Sequence, residues 1–143
     1  MRQALLVVAL AVAVAPGASS APTVTAGTPN SVSTQIARTS TTVSGQPLKL
    51  PQGPAEMVGT MVEIPPGGMT SIHQHPWARF VYVQQGPLRV RNDDTGDTKD
   101  FQSGELFPEV TDQWHQGTAT GPKGARLIVL DIVPPGVTNM KMR

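Results

Sequence analysis

The chain contains no cysteine. That absence excludes disulfides, thiolate metal ligands, cysteine nucleophiles and a lipid anchor on cysteine. There is no Gly-x-Ser-x-Gly stretch, so no nucleophile elbow is encoded. Gly67-Gly68 is followed by neither a helix pattern nor Gly-Lys-Ser/Thr, which excludes a phosphate loop. After residue 21 no segment sustains the i, i+3, i+4, i+7 spacing of an amphipathic helix. An excess of one charge is also missing: eleven Lys and Arg stand against ten Asp and Glu. Removing residues 1–21 takes away Arg2 alone and leaves ten of each sign. A balanced chain gives no reason to expect nucleic acid or an anionic membrane as partner.

What is present begins with an export pattern. Met1-Arg2-Gln3 supplies a positive start, and Ala4 to Ala15 is an apolar run of 12 residues. A bilayer core needs roughly 20. The small residues Ala18-Ser19-Ser20-Ala21 complete the layout of a secretory signal peptide over residues 1–21, with a cut after Ala26 as an alternative. A buried core segment is the competing reading of the run. The expectation is a periplasmic or secreted protein with no membrane anchor after signal removal, and the lack of cysteine suits a periplasm. Residues 22–45 are rich in Ser and Thr and read as a flexible lead whose end contributes a first strand. The domain is expected over 46–136. A short tail, 137–143, follows, and Met140 and Met142 within it receive no role.

From Gln46 onward, short apolar or alternating runs are separated by Pro, Gly and Asp clusters. The runs are Glu56 to Ile64, Met69 to His75, Arg79 to Gln84, Leu88 to Arg91, Lys99 to Gln102, Leu106 to Pro108 and Ala125 to Val133. Many short runs at this spacing predict an all-β sandwich or barrel. No internal repeat is visible, so one barrel unit is expected. Gly67, Gly86 and Gly104 read as turn residues where a positive φ carries no steric cost.

The chain has three histidines. His73 and His75 stand two apart in a predicted strand, so their side chains share one face and can chelate a single ion. Two polar surface histidines are the plainer alternative. The surroundings of the pair resemble the first motif of the cupin superfamily. Gly67 precedes His73-Gln74-His75 by five residues. Arg79 follows after three more, and Gly86 after a further six. Gly104 stands where the second motif begins, and His115 holds its histidine position. Val110, Asp112 and Ala119 occupy the places of its Pro, Gly and Asn.

The resemblance covers about residues 55 to 133. It implies an antiparallel jelly-roll barrel in which His115 comes from a strand facing the first pair. It also implies a divalent metal (iron, manganese, zinc, nickel or copper) held by His73, His75 and His115, and a small-molecule ligand. A homodimer is the family habit. The family's fourth ligand is a glutamate, and Arg79 replaces it here. A guanidinium cannot bind a cation. Arg79 either turns away from a three-histidine metal site, reaches past the metal to an acidic substrate, or joins the histidines in a metal-free anion pocket. The resemblance extends to non-haem dioxygenase chemistry, with a non-catalytic small-molecule binder as the rival.

Glu109, six residues before His115, is read as a substitute ligand, a catalytic general base, or a solvated loop carboxylate. Glu63 faces either the pocket or solvent. Trp77 and Trp114 adjoin the histidines in sequence and either wall the substrate pocket or pack elsewhere. If Arg79 faces the cavity, alternation turns Phe80 and Tyr82 away from it. An isomerase or lyase would use Glu109 or Tyr82 as its base.

Overall fold

A computed structural model describes residues 30–143 of the chain. The expected signal peptide and residues 22–29 of the lead lie outside the described residues. The described residues divide into two units, with the boundary between Gln35 and Ile36. Of the first, residues 30–35 are described, and they are exposed. The second carries nine strands: β1 Glu56–Ile64, β2 His73–Gln74, β3 Arg79–Gln85, β4 Leu88–Asn92, β5 Thr98–Phe101, β6 Leu106–Pro108, β7 His115–Ala119, β8 Ala125–Val133 and β9 Lys141–Met142. No helix occurs among the described residues.

The strands form two antiparallel sheets, ordered β1-β8-β3-β6 and β5-β4-β7-β2-β9. Their inner faces enclose a core of Ile64, Val81, Val83, Leu88, Val90 and Leu127, among others. Period-two alternation builds this core. In β8, Ala125, Leu127, Val129, Asp131 and Val133 are buried, while the residues between them are not. In β3, Arg79, Val81 and Val83 point inward and Phe80 and Tyr82 outward. Phe101 and Phe107 stack at 3.6 Å between ring centroids.

The apolar runs placed β1, β6 and β8 at their observed bounds but missed β9 and also β7, whose strand only the resemblance implied. The inward residues of β7 are His115, Gly117 and Ala119. None is a large hydrophobe, so the strand shows no apolar alternation. The run expected from Met69 to His75 is a strand only at His73–Gln74. Before it, side chains share in the pairing: Gly117 N donates to Thr70 Oγ1 at 3.0 Å and Gln116 Nε2 to Thr70 O at 2.8 Å. The lead does not end in a strand. Thr41 and Pro47 form an isolated bridge. Val43 N donates to Pro108 O at 3.1 Å, and Gln46 Nε2 to Thr111 O at 2.7 Å. The expected flexible lead is therefore tied through Val43 to the end of β6, and Gln46 just beyond it is tied to the loop that follows.

Gly67 and Gly104 hold φ of +70° and +91° as the turn reading requires. Gly86 is needed for a different reason: a Cβ there would come within 2.8 Å of Val83 Cγ1.

Candidate metal centre

β2 and β7 are neighbours in one sheet, with His73 and His115 directly paired across the ladder. The strand of His115 therefore lies beside that of His73, rather than facing it as the resemblance implied. His75 follows β2 by one residue, and its carbonyl accepts Asp112 N at 2.9 Å. The three rings lie 4.5 to 4.9 Å apart between centroids. His75 and His115 have no exposed surface.

Each ring is locked by a backbone carbonyl. His73 Nδ1 donates to Ser71 O at 2.7 Å, His75 Nδ1 to Asn139 O at 2.7 Å, and His115 Nδ1 to Gln113 O at 2.9 Å. A carbonyl only accepts, so in the neutral ring the hydrogen sits on Nδ1 and the lone pair on Nε2. Nε2 of His75 and of His115 is buried without a hydrogen-bond partner.

Glu109 completes the group. The ligating atoms of His73, His75, Glu109 and His115 all lie within 4.8 Å of one another, and the four residues are buried. Glu109 Oε2 is 3.2 Å from His75 Nε2, and Oε1 is 3.7 Å from His115 Nε2. Lone pairs and a carboxylate packed this closely repel one another unless a cation lies between them. These residues fit a divalent metal: three imidazole nitrogens and one carboxylate oxygen, with their protons held on the far side.

The carboxylate arrives by a shift of one strand. Glu109 N donates to Arg79 O at 2.9 Å, which extends the β3–β6 pairing by one step past Phe80 and Pro108. Glu109 is thus the cross-strand neighbour of the position where the motif carries its glutamate. The reading of Glu109 as a solvated loop residue is corrected: it is 9 % exposed.

Arg79 is buried beside it and makes a bidentate pair with Asp131, Nε to Oδ1 at 2.6 Å and Nη2 to Oδ2 at 2.7 Å. Asp131 is its register partner on β8. The guanidinium borders the cavity, with its charge neutralised from within the sheet. Asp131 went unnoticed in the sequence, although a carboxylate among the inward residues of β8 was a signal that a buried cation faces it.

His73 and Glu109 of this group line a cavity of about 130 Å³ between the sheets. Val81, Leu88, Leu127 and Val129 form apolar walls, and Met140 and Met142 line it from the tail. Trp77 and Trp114 are not among its lining residues. Trp77 lines a separate surface cleft with Leu50 and Asp112. Trp114 lies under the Arg143 guanidinium, 5.9 Å from the ring centroid. Glu63 is exposed and paired with Arg126.

Burial pushes the His73 imidazolium down to about 4, against the opposing pull of Ser71 O. At His115 burial also works downward, but the Glu109 carboxylate outweighs it and the net shift is upward. Burial works to raise the Glu109 carboxyl, yet His115 and His75 together hold it well below the usual range. The Glu109 carboxylate therefore favours a proton on His115, and a metal would compete with that proton. Metal binding is expected to release protons, and affinity is expected to rise with pH until His115 has lost its proton. Calorimetric titration in buffers of differing ionisation enthalpy measures this. Uptake without proton release near pH 6.5, the ordinary histidine value, would contradict the pairing. Glu109→Gln keeps the shape and removes the charge, and is expected to lower metal affinity at least about tenfold.

The family model described as Cupin domain matches residues 60–133, which include all four residues of this group. This chain belongs to the cupin family. No curated protein matches the chain. Among solved structures, this cupin is similar to an uncharacterized conserved protein with a double-stranded β-helix domain from Klebsiella pneumoniae. The two share 18% identity over 60% of this chain and 73% of that one, with a TM-score of 0.50. Oxalate decarboxylase from Bacillus subtilis is 20% identical over 60% of this chain and 23% of its own, with a TM-score of 0.53. A polyketide cyclase from Streptomyces resistomycificus is 23% identical over 57% of this chain and 62% of its own, with a TM-score of 0.47. The chain thus spans under two thirds of the cyclase and about a quarter of the decarboxylase. At these identities the likeness to the Klebsiella protein and to the decarboxylase concerns the fold alone.

Proposed function

We propose that this cupin binds one first-row divalent metal through Nε2 of His73, His75 and His115 and the Glu109 carboxylate, and engages a small molecule in the cavity beside it. The observation that carries the reading is the common lock on the three rings: three backbone carbonyls take the Nδ1 hydrogens and leave three lone pairs converging on a buried carboxylate. When bound, the ion supplies Lewis acidity and, in the case of iron, access to dioxygen chemistry.

The chain's own residues do the rest. The carbonyls orient the rings, the apolar walls exclude water, and Glu109 is the only carboxylate in the group. Its place beside two Nε2 atoms supports a ligand role over that of a free general base. Tyr82 points out of the barrel, which removes it as a base.

The metal-free anion pocket is less well supported. The Glu109 carboxylate already sets negative charge beside the Nε2 atoms of His75 and His115, and the Arg79 guanidinium already serves Asp131. By the same argument a small, largely apolar molecule with one polar anchor suits the cavity better than the acidic substrate expected for a free Arg79. Export to the periplasm or beyond belongs to this proposal and rests on the N-terminal sequence.

The test is elemental analysis of protein recovered from its native compartment, alongside His73→Ala. A first-row metal in the parent and none in the variant is the expected result. A parent that retains no metal after exposure to iron, manganese, zinc, copper and nickel in turn, followed by desalting, would overturn it.

A further inference from the structure

The tail beyond β8 is built into the site. Asn139 is 5 % exposed, although the residues on either side of it are exposed. Its side chain makes three hydrogen bonds: Oδ1 accepts from Trp77 N at 2.8 Å, and Nδ2 donates to Trp77 O at 3.2 Å and to Asp131 Oδ1 at 2.6 Å. One amide orientation satisfies all three, because a main-chain N–H needs an acceptor and a carbonyl and a carboxylate need a donor. The main-chain oxygen of the same residue accepts the Nδ1 hydrogen of His75 at 2.7 Å. Beyond it, β9 pairs with β2 at His73–Met142 and Gln74–Lys141, and Arg143 N donates to Ile72 O at 3.2 Å.

We infer that Asn139 is a positioning residue of the metal centre: its side chain clamps the tail to Trp77 and Asp131 so that its own carbonyl fixes the His75 ring with Nε2 toward the ion. His73 and His115 take their carbonyls from two residues earlier in the chain, Ser71 and Gln113. Only His75 depends on an acceptor 64 positions distant. That acceptor stays in place only while the tail is docked. The clamp also joins the ligand to the Arg79–Asp131 pair, since Asp131 Oδ1 serves both Arg79 Nε and Asn139 Nδ2.

The inference rests on the metal reading, but its first readout does not need a metal. Nitrogen-15 shifts of the imidazoles report which nitrogen carries the hydrogen. In the metal-free parent at a pH where the rings are neutral, His75 is expected as the Nδ1–H form, and a mixed or Nε2–H form would overturn the inference. In Asn139→Ala, His75 is expected to become a mixture while His73 and His115 keep Nδ1–H.

Asn139→Asp keeps the shape, removes the donor to Asp131 and sets two carboxylates together. It is expected to act in the same direction and guards against an alanine variant that fails to fold. Manganese and cobalt affinities, measured by calorimetry, are expected to fall about 10- to 100-fold in either variant, with a changed cobalt absorption spectrum. Lys141→Ala, whose side chain takes no part in the site, is expected to match the parent. A His75 signal unchanged from the parent in a folded Asn139 variant would overturn the inference. A parent that binds neither metal defeats the metal reading alone, and the nitrogen shifts still decide the role of Asn139.

Discussion

Saturating the chain with a divalent metal is expected to raise its melting temperature by on the order of 20 °C. An ion present at a thousand times its dissociation constant stabilises the native state by about 4 kcal/mol. In a domain of this size each kcal/mol moves the midpoint by roughly 4–8 °C. The gain is large because the metal-free site is poorly satisfied: two buried Nε2 atoms have no partner and face a carboxylate. His115→Ala is expected to abolish the metal-dependent part of the shift. It removes a fully buried ligand from the middle of the second sheet, between the partners Asn92 and His73. Scanning calorimetry of parent and variant, each with and without excess manganese or zinc, checks both statements. Equal midpoints with and without metal in the parent would leave no role for a bound ion in holding the histidine group together.

The second large effect concerns the Arg79–Asp131 pair. Arg79→Leu is expected to cost about 3–5 kcal/mol, because it leaves a carboxylate buried with only the Asn139 amide as donor. Asp131→Leu is expected to cost a similar amount, since it strands a guanidinium in the barrel and frees Asn139 Nδ2. The double replacement Arg79→Met with Asp131→Leu is expected to recover most of the loss: two charges leave together and apolar volume remains. Urea unfolding of the four proteins gives the coupling energy. Single variants within about 0.5 kcal/mol of the parent, the range of ordinary surface changes, would show that the pair is not buried as described. The double variant also bears on function. If metal affinity survives in it, the Arg79–Asp131 pair balances its own charge and is not needed to hold the metal.

Much of the fold was legible. Leu88, Arg89, Val90 and Arg91 alternate in sequence and are alternately buried and exposed in β4. β1, β6 and β8 have the bounds that the apolar runs and their Gly and Pro punctuation indicate. β7 was not legible in the apolar alternation, because its inward positions carry the candidate ligand His115 and two small residues. A strand that contributes a site in place of a wall loses the apolar signature by which strands are found. The tail was unreadable for a related reason. Lys141 and Met142 pair through main-chain groups, which any sequence supplies.

The site divides in the same way. His73 and His75 were placed together by a two-residue spacing in extended chain, and His115 joined them only through the resemblance to the second cupin motif. Trp77 and Trp114 adjoin those residues in sequence yet do not line the cavity. Alternation sends neighbours to opposite faces, so adjacency along a strand argues against a shared pocket.

The amino-acid order alone determined an all-β chain and the His73–His75 pair, because both follow from periodicity and short-range spacing, and the resemblance to a family motif added His115. The tertiary structure alone decided which carboxylate joins them, what neutralises Arg79 and what orients His75. Those three outcomes depend on Glu109 beside Arg79, Asp131 across β8, and Asn139 on a returning tail. Each is a pairing between distant segments, and in a buried site it is the balance of charge and hydrogen bonds among such segments that selects the partner.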